Sequence, residues 1–328
     1  MMTESKIRIQ QQVFSDYTDD QLLFLKQMGI RYVYVMFRDQ HTDYDSVMSF
    51  VDRLRKHGLV PTDGGNRTIY KNPAIHLGLP GRDEGIQKFN DFSRILAKAG
   101  IPITYMTWEP NGVLTTKYAV GNHTRDAVAR LVDVKQLETL PYSHGRFYSK
   151  DEMWENFQYF LDNTLPVCQE IGMKIALHPN DPPVPSLRGI SNLITSAEDY
   201  KKAFAMAKES PYLGMKLCVG CWLEGGATFG NLLEDIKYFV ENKKVFCVHF
   251  RNVSGCVPCF EETLIEDGYM DMYQVMKQFV DCGYDGLMTV DHVPEYVASC
   301  GGKNSSYAYS IGYIKALLSC AAADKMTA

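Results

Sequence analysis

Hydrophobic and polar positions along the chain follow one recurring pattern: an amphipathic helical stretch, then a glycine, then a short apolar run. The stretches that show it are "FLKQMGIRYVYVMF", "RLRKHGLVPT", "ILAKAGIPITYMTW", "VCQEIGMKIALH" and "QFVDCGYDGLMTVDH". Their glycines stand where helices commonly end in the left-handed conformation, and they are Gly29, Gly58, Gly100, Gly172 and Gly283. The apolar runs are continuous rather than alternating, which is typical of buried parallel strands. The pattern therefore predicts repeated helix and strand units around one parallel sheet.

The apolar runs predict seven strands, at 31–37, 59–63, 101–108, 174–179, 214–219, 245–251 and 286–291. We expect an eighth strand in 70–77 or in 259–265. No glycine-rich phosphate-binding sequence follows the first strand, so the α/β pattern favours a (β/α)8 TIM barrel over a doubly wound sheet. We expect a single catalytic barrel domain over residues 1–328.

Capping residues indicate where several helices begin. In a capping box, a serine or threonine is followed three residues later by Glu or Gln, and each side chain accepts from the other residue's backbone N–H. Three pairs have this spacing: Thr18 with Gln21, Ser149 with Glu152, and Thr195 with Glu198. Asp271 is the expected N-cap of the helix that begins "MYQVMKQF".

Two segments interrupt the repeated pattern. Residues 109–148 follow the third predicted strand and are far longer than an ordinary strand-to-helix loop, so we predict an insertion that forms a lid over the barrel mouth. In "PNDPPVPSLRGISNLIT", four prolines prevent a helix from starting directly after the strand. Both segments follow strand ends, where the active sites of barrel enzymes lie.

Composition excludes several classes of function. The chain has 328 residues, a hydrophobic fraction of 45%, a charged fraction of 22% and a net charge of −5, with no cluster of basic residues. We therefore expect neither nucleic acid nor membrane as a partner. The N-terminal sequence lacks the pattern of a signal peptide, and the nine cysteines are an odd number, so we expect a cytoplasmic protein with reduced thiols.

Four predicted strands end in side chains that bind metals. These are His178 in "IALHP", Cys218 in "KLCVG", His249 in "CVHFRN" and Asp291 in "TVDHV". The carboxyl ends of barrel strands converge on one mouth, so these four groups are expected to lie together. Two imidazoles, a thiolate and a carboxylate suit a divalent transition metal.

Two C-x-x-C pairs, Cys218 with Cys221 and Cys256 with Cys259, offer a competing interpretation. Together they could form a structural zinc site in a protein that is not an enzyme, although the separation of the pairs exceeds the usual spacing. A redox dithiol at Cys218 and Cys221 is a further alternative.

Several motifs resemble those of the mannonate dehydratase family in the family's order. They are "HLGLPGRDEGI", "AGIPITYMTWEPNGV", "WENFQYFL", "HPNDPP", "LCVG", "VHFRNV", "FEETLIEDGYMDMY" and "DHV". The resemblance implies a metal-dependent barrel like that of xylose isomerase. It also implies dehydration of D-mannonate, a small sugar acid, to 2-keto-3-deoxy-D-gluconate in hexuronate breakdown.

The resemblance further implies a metal and its ligands. Mn2+ is the expected ion, with Fe2+ or another divalent metal as alternatives, and the ligands match His178, Cys218, His249 and Asp291. The catalytic residues match His292 and Tyr307, with Tyr309 as an alternative to the tyrosine because the local spacing permits a shift. We also expect a homo-oligomer, in the simplest case a dimer.

Five further residues are candidates for contact with the substrate: Arg251, Asn252, Glu262, Asp181 and Trp108. Arg251 could meet the substrate carboxylate in a bidentate manner, or it could form a structural salt bridge. Glu262 and Asp181 could bind hydroxyl groups or orient a neighbouring ligand, while Trp108 could form a wall of the pocket or belong to the core.

Departures from the common family pattern include three that bear on the substrate: Asn180 in "HPNDPP", Cys221 after "LCVG", and Ile265. Another is "TVDHV" at 289–293. They leave open a related sugar-acid dehydratase that acts on another substrate. A sugar isomerase or epimerase on the same barrel is a further alternative, although a cysteine ligand is unusual for that class.

Overall fold

The computed structural model describes residues 6–327. Within this range the strands are β1 (Arg8–Phe14), β2 (Tyr32–Phe37), β3 (Val60–Asn66), β4 (Ile103–Thr107), β5 (Lys117–Val120), β6 (Val128–Asp133), β7 (Lys174–His178), β8 (Ser186–Leu187), β9 (Ile190–Ser191), β10 (Leu213–Cys218), β11 (Val245–Phe250), β12 (Cys259–Glu261) and β13 (Leu287–Val290). The α-helices are α1 (Asp19–Gln27), α2 (Tyr44–Lys56), α3 (Arg67–Tyr70), α4 (Pro73–Leu77), α5 (Arg82–Lys98), α6 (Val134–Glu138), α7 (Lys150–Ile171), α8 (Ala197–Met206), α9 (Val219–Gly225), α10 (Leu232–Glu241), α11 (Met272–Asp281) and α12 (Gly302–Thr327). Of the helices in this range, none combines the length and the apolar character that a membrane crossing requires.

Eight strands form a parallel sheet in the order β3-β2-β1-β13-β11-β10-β7-β4. All neighbouring strands in it run parallel. The two edge strands, β3 and β4, are consecutive in the chain and contact each other. The sheet therefore curls into a nearly closed barrel with helices between its strands, as the repeated pattern predicted.

The eighth strand of the barrel is not where the sequence placed it. The seven predicted strands are present, but residues 70–77 lie largely in helix α4, and the stretch 259–265 contributes only the short strand β12 to a separate sheet. The missing barrel strand is β1, whose sequence "RIQQQVF" contains three glutamines and so lacks an apolar run.

Hydrogen bonds inside the barrel explain how β1 can be polar. Gln10 is fully buried, and its amide nitrogen donates to Thr289 Oγ1 at 2.9 Å, while its amide oxygen accepts from Thr62 Oγ1 at 2.6 Å. A buried amide with both ends satisfied costs little, so a polar strand can line the interior.

Most predicted helix boundaries are confirmed. The capping boxes of Thr18 and Ser149 are both formed, and Asp271 caps α11 by accepting from the backbone N–H of Tyr273 at 2.9 Å. The prediction for Thr195 is wrong by one residue, because Ser196 is the N-cap of α8 and accepts from Asp199 N. Thr195 instead donates both its N–H and its hydroxyl to the Asp199 carboxylate, which stabilises the same turn from outside the helix.

The long insertion folds into structure of its own. Because β1 was missed, residues 109–148 follow the fourth strand of the barrel and not the third. They contain β5, β6 and α6, and β6 pairs with both β5 and β12 in a three-stranded antiparallel sheet. The insertion is thereby joined to the loop that follows β11. A lid function for it remains a prediction.

Candidate active site

A cavity of about 250 Å³ opens at the carboxyl ends of the barrel strands. Its lining includes His178, Asp181, His249, Asp291 and His292. Further lining residues come from the N-terminal half of the chain, the insertion and helix α12. The position is the one at which barrel enzymes assemble their active sites.

The barrel brings the four predicted metal ligands together. His178 is the last residue of β7 and Cys218 the last of β10, while His249 is paired in register with Cys218. Asp291 directly follows β13. Cys218 Sγ lies 3.9 Å from Asp291 Oδ2, and the rings of His178 and His249 have centroids 5.2 Å apart. The donor atoms of Cys218, His249 and Asp291 all lie within 4.8 Å of one another.

The state of His249 supports a metal at this position. The residue is only 7% exposed, and neither ring nitrogen makes a hydrogen bond within the described part of the chain. Its Nδ1 lies 3.3 Å from Asp291 Oδ1, but the geometry is not that of a hydrogen bond. Buried polar atoms without partners are costly, and a divalent cation would satisfy the ring nitrogen. The residues present therefore fit a metal ion.

Electrostatics around the donors favour their metal-binding forms. Burial opposes ionisation of Asp291, but His249, His292 and Arg251 outweigh it and hold its pKa well below the ordinary value. Burial likewise opposes ionisation of Cys218, but a hydrogen bond from Cys221 and the charge of Arg251 outweigh it and lower the thiol pKa. A carboxylate and a thiolate are the forms that ligate metals.

His292 is held in place by a carboxylate. Its Nδ1 lies 2.5 Å from Glu262 Oε1, and its Nε2 lies 3.7 Å from Asp291 Oδ1. Burial opposes protonation of the ring, but Asp291 and Glu262 outweigh it and raise the pKa of His292 to about 9. Glu262 therefore fixes the ring orientation and leaves Nε2 on the side of the metal ligands.

Of the two candidate tyrosines, only Tyr307 lines the cavity. Burial and the nearby Asp291 raise its pKa above the ordinary value, so its phenol keeps its proton at neutral pH. Tyr309 is 40% exposed, donates a hydrogen bond to Glu266 and packs its ring near Tyr296. The structure therefore places Tyr307, and not Tyr309, at the cavity.

Arg251 forms the salt bridges that were the alternative to a substrate contact. It is buried, and its Nε, Nη1 and Nη2 donate to Asp291 at 2.9 Å, Glu224 at 2.7 Å and Asp181 at 2.8 Å. Gly220 of the "LCVG" motif packs so closely on this guanidinium that an added Cβ would lie 2.3 Å from its central carbon. All three nitrogens donate to carboxylates, so Arg251 orients Asp291, a predicted metal ligand, and presents no free guanidinium fork to the cavity.

Arg130 and Glu224 are charged residues at the site that were missed from the sequence. Arg130, on strand β6 of the insertion, donates to Asp181 Oδ1 at 2.5 Å and to Glu262 Oε1 at 3.0 Å. Glu224, on α9, is fully buried between Arg130 and Arg251. Burial raises the pKa of Glu224 well above its ordinary value, although both arginines oppose the shift. An arginine within the apolar stretch "AVARLV" is the one sequence feature that could have indicated this network.

Three other predicted substrate contacts occupy structural positions. Asn252 is buried and donates to the carbonyls of Ile265 at 2.9 Å and Met270 at 2.8 Å. Trp108 is buried in the core, with its ring centroid 4.5 Å from that of His76 and 5.1 Å from that of Phe157. Glu262 is engaged by His292 and Arg130, as described above. These three residues contact other protein groups and so support the structure around the cavity.

Asp181 differs from these residues because it lines the cavity while both of its oxygens are held by Arg130 and Arg251.

Three of the departures from the family pattern have separate surroundings. Asn180 is 2% exposed, donates to the Trp108 carbonyl at 3.0 Å and accepts from Ile194 N at 2.8 Å, so it fastens the proline-rich loop. Ile265 lies in the core. Cys221 is the departure nearest to the metal ligands, because its Sγ forms a close group with His178 and Cys218.

The cysteines give no support to a shared zinc site. Cys218 and Cys221 are buried at the cavity, whereas Cys256 and Cys259 are exposed. Within residues 6–327, no close group of metal-binding side chains includes Cys256 or Cys259.

Comparisons with known proteins agree with this geometry. The family model described as D-mannonate dehydratase (UxuA) matches residues 129–327, which contain all four donors. The mannonate dehydratase of Thermotoga petrophila is 32% identical over 282 residues, covering 76% of this chain and 77% of that protein.

Solved structures agree in fold. The mannonate dehydratase of Streptococcus suis serotype 2 superposes with a TM-score of 0.83 at 21% identity, covering 96% of this chain and 95% of that one. A xylose isomerase domain protein from Planctomyces limnophilus superposes with a TM-score of 0.63 at 12% identity, covering 96% and 98%. At these identities the likeness is one of fold alone.

Proposed function

The chain belongs to the mannonate dehydratase family of hydro-lyases, and from this premise we propose that it converts D-mannonate to 2-keto-3-deoxy-D-gluconate with the side chains of the cavity described above. The observation that supports this most strongly is the convergence of His178, Cys218, His249 and Asp291, with the nitrogens of His249 left without hydrogen-bond partners among residues 6–327. All four donors lie inside the segment that matches the family.

We propose Mn2+ as the metal, held by these four side chains. Nitrogen, thiolate and carboxylate donors suit a first-row divalent ion, and Fe2+ is compatible with the same set. When bound, the cation would supply positive charge that makes the C2 proton of the sugar acid more acidic. Arg251 fixes the Asp291 carboxylate through its Nε at 2.9 Å, so the donor set is preorganised.

His292 and Tyr307 are the proposed proton-transfer residues. One takes the proton from C2, and the other gives a proton to the hydroxyl that leaves C3. A bound cation would offset the Asp291 charge that raises the pKa of His292 and so would favour the neutral imidazole that a base requires. Glu262 holds His292 Nδ1, so Nε2 is the nitrogen available to the substrate. Tyr307 reaches the same cavity from α12 and is the second proton-transfer group.

Two measurements test the proposed function. Protein loaded with Mn2+ should form 2-keto-3-deoxy-D-gluconate from D-mannonate, and His292→Asn and Tyr307→Phe should each lower the rate by about 100-fold or more. Tyr309→Phe is the matched control and should retain full activity, because Tyr309 lies outside the cavity. Absence of the product with metal-loaded protein would refute the named reaction.

Exchange of the C2 proton in deuterated water separates the two roles. The variant that lacks the base should lose both exchange and dehydration, whereas the variant that lacks the acid should retain exchange at C2. Loss of neither process in either variant would remove both residues from the mechanism.

Two broader expectations belong with this proposal. We propose a homodimer as the assembled form, and light scattering coupled to size-exclusion chromatography would test it. A cytoplasmic location is likewise a proposal, which cell fractionation would test.

A further inference from the structure

Lys216 is a buried cation at the cavity that the proposed reaction has not yet used. It lies on β10 two residues before Cys218, so both side chains project from the same face of the strand. The residue is 5% exposed and lines the cavity. Its Nζ lies 3.4 Å from the centroid of the Tyr105 ring and 4.6 Å from that of Tyr34.

No acceptor within the described part of the chain holds this ammonium group. Lys216 Nζ forms neither a hydrogen bond nor an ion pair with residues 6–327, and its close contacts are the two aromatic rings. Asp63 acts on it only through space, because the Asp63 oxygens accept from Tyr105, Thr62 and Gln10. A buried charge without an ion-pair partner is costly, and aromatic faces offset only part of that cost.

Lys216 lies beside the metal ligands. The Tyr34 ring that it contacts has its centroid 6.3 Å from that of His249, so the two side chains share one aromatic neighbour. Two other lysine or arginine side chains line the cavity, but Lys71 is paired with Glu109 at 2.6 Å and Arg67 is exposed. His292 is paired with Glu262. Lys216 is therefore the buried cation that remains available to an anionic ligand.

We propose that Lys216 binds the carboxylate of the sugar acid and makes the site selective for aldonates over neutral analogues. This inference rests on the proposed function. When a base takes the C2 proton, the electron pair of the C–H bond is delocalised into the carboxylate. That pair then forms the C2=C3 double bond as the C3–O bond breaks, and the leaving hydroxyl is protonated to water. The resulting enol rearranges to the 2-keto product. Charge on the carboxylate grows in this step, so the ammonium group stabilises the transition state more than the bound substrate.

Lys216 directly precedes the "LCVG" motif and is not part of it. It stands in an apolar strand, "LGMKLC", where a lysine is unfavourable for stability. Removing it should therefore leave the melting temperature unchanged or raise it. A lysine with only a structural role would give the opposite result.

The test compares Lys216→Met with Lys174→Met. Lys174 also lies over an aromatic ring, with Nζ 5.0 Å from the Phe246 centroid, but it begins β7 at the opposite end of the barrel. Binding of D-mannonate and of the neutral D-mannonamide is measured on Mn2+-loaded proteins, together with the turnover of D-mannonate, the metal content and the melting temperature. Lys216→Gln is measured alongside in case the methionine variant does not fold.

We expect Lys216→Met to bind D-mannonate about tenfold or more weakly, to bind D-mannonamide as the wild type does, and to lose about 100-fold or more in kcat. Lys174→Met should match the wild type in all of these. Equal weakening of both ligands, or unchanged D-mannonate turnover, would overturn the role of Lys216. Wild-type protein that binds metal but neither binds nor dehydrates D-mannonate would instead refute the proposed function, and the inference with it.

Discussion

Arg130 joins the insertion to the active site, and its replacement offers a quantitative test of that connection. Its Nη2 donates to Asp181 at 2.5 Å and to the Leu114 carbonyl at 2.9 Å, its Nη1 to Glu262 at 3.0 Å, and its Nε to Thr115 at 3.0 Å. Arg130→Met would leave Asp181 and Glu262 buried with one cation fewer.

The expected loss in the free energy of unfolding of Arg130→Met follows from the burial of its ion pairs. Removing one partner from a buried ion pair typically costs about 3–5 kcal/mol. We expect the lower value, about 3 kcal/mol, because Arg251 and His292 still compensate Asp181 and Glu262. The entropy of unfolding is about 2 cal/mol/K per residue, so for this chain the change corresponds to a fall of about 4 °C in melting temperature.

Arg125→Met is the matched control within the same insertion. Arg125 also pairs with two carboxylates, Glu266 at 3.0 Å and Asp267 at 2.7 Å, but its side chain is 53% exposed. An exposed pair contributes at most about 1 kcal/mol, so the control should lose little. Urea unfolding of both variants measures the difference. Equal free-energy losses within about 0.5 kcal/mol would refute the claim that burial of the Arg130 network stabilises the site.

Three further predictions follow from single side chains. Burial lowers the pKa of His76 from 6.5 to about 3. Below pH 6.5 the unfolded chain therefore takes up a proton that the folded chain excludes. The free energy of unfolding then falls by about 1.4 kcal/mol for each pH unit of acidification. His76→Phe should flatten this slope between pH 6.5 and 4.5 in urea unfolding, and an unchanged slope would contradict it. Asn180→Asp would place a carboxylate oxygen against the Trp108 carbonyl, so it should destabilise the protein by about 1–3 kcal/mol. The preference among sugar acids should not change. A changed preference would mean that this position contacts the substrate. Cys221→Ser keeps a hydroxyl donor beside Cys218 and should retain bound metal, whereas Cys218→Ser should lose it; equal metal contents would show that Cys218 is not a ligand.

The sequence predicted the elements whose formation depends on local pattern. Continuous apolar runs and helix-ending glycines identified seven barrel strands, and the five glycines that end helices all have positive φ. Strand β1 was missed because its polar side chains face an interior where partners from distant strands satisfy them, as Gln10 and Thr289 show. No pattern within β1 itself reveals those partners.

The candidate site likewise has a part that the sequence predicted and a part that it did not. His178, Cys218, His249 and Asp291 could be proposed because strand ends converge in any barrel. Their surroundings could not be predicted, since Arg130, Glu224 and Lys216 act through contacts with residues distant in the chain. For Arg251, strand alternation gives the direction of the side chain but does not decide between a substrate carboxylate and the three protein carboxylates that surround it.

The most direct test of the account is the metal content of purified protein after equilibration with Mn2+, measured for the wild type and for His249→Ala. We predict about one equivalent in the wild type and almost none in the variant, with a melting temperature that rises on addition of Mn2+ only in the wild type. Equal metal content in the two proteins, or no bound metal in the wild type, would contradict a metal centre built from His178, Cys218, His249 and Asp291.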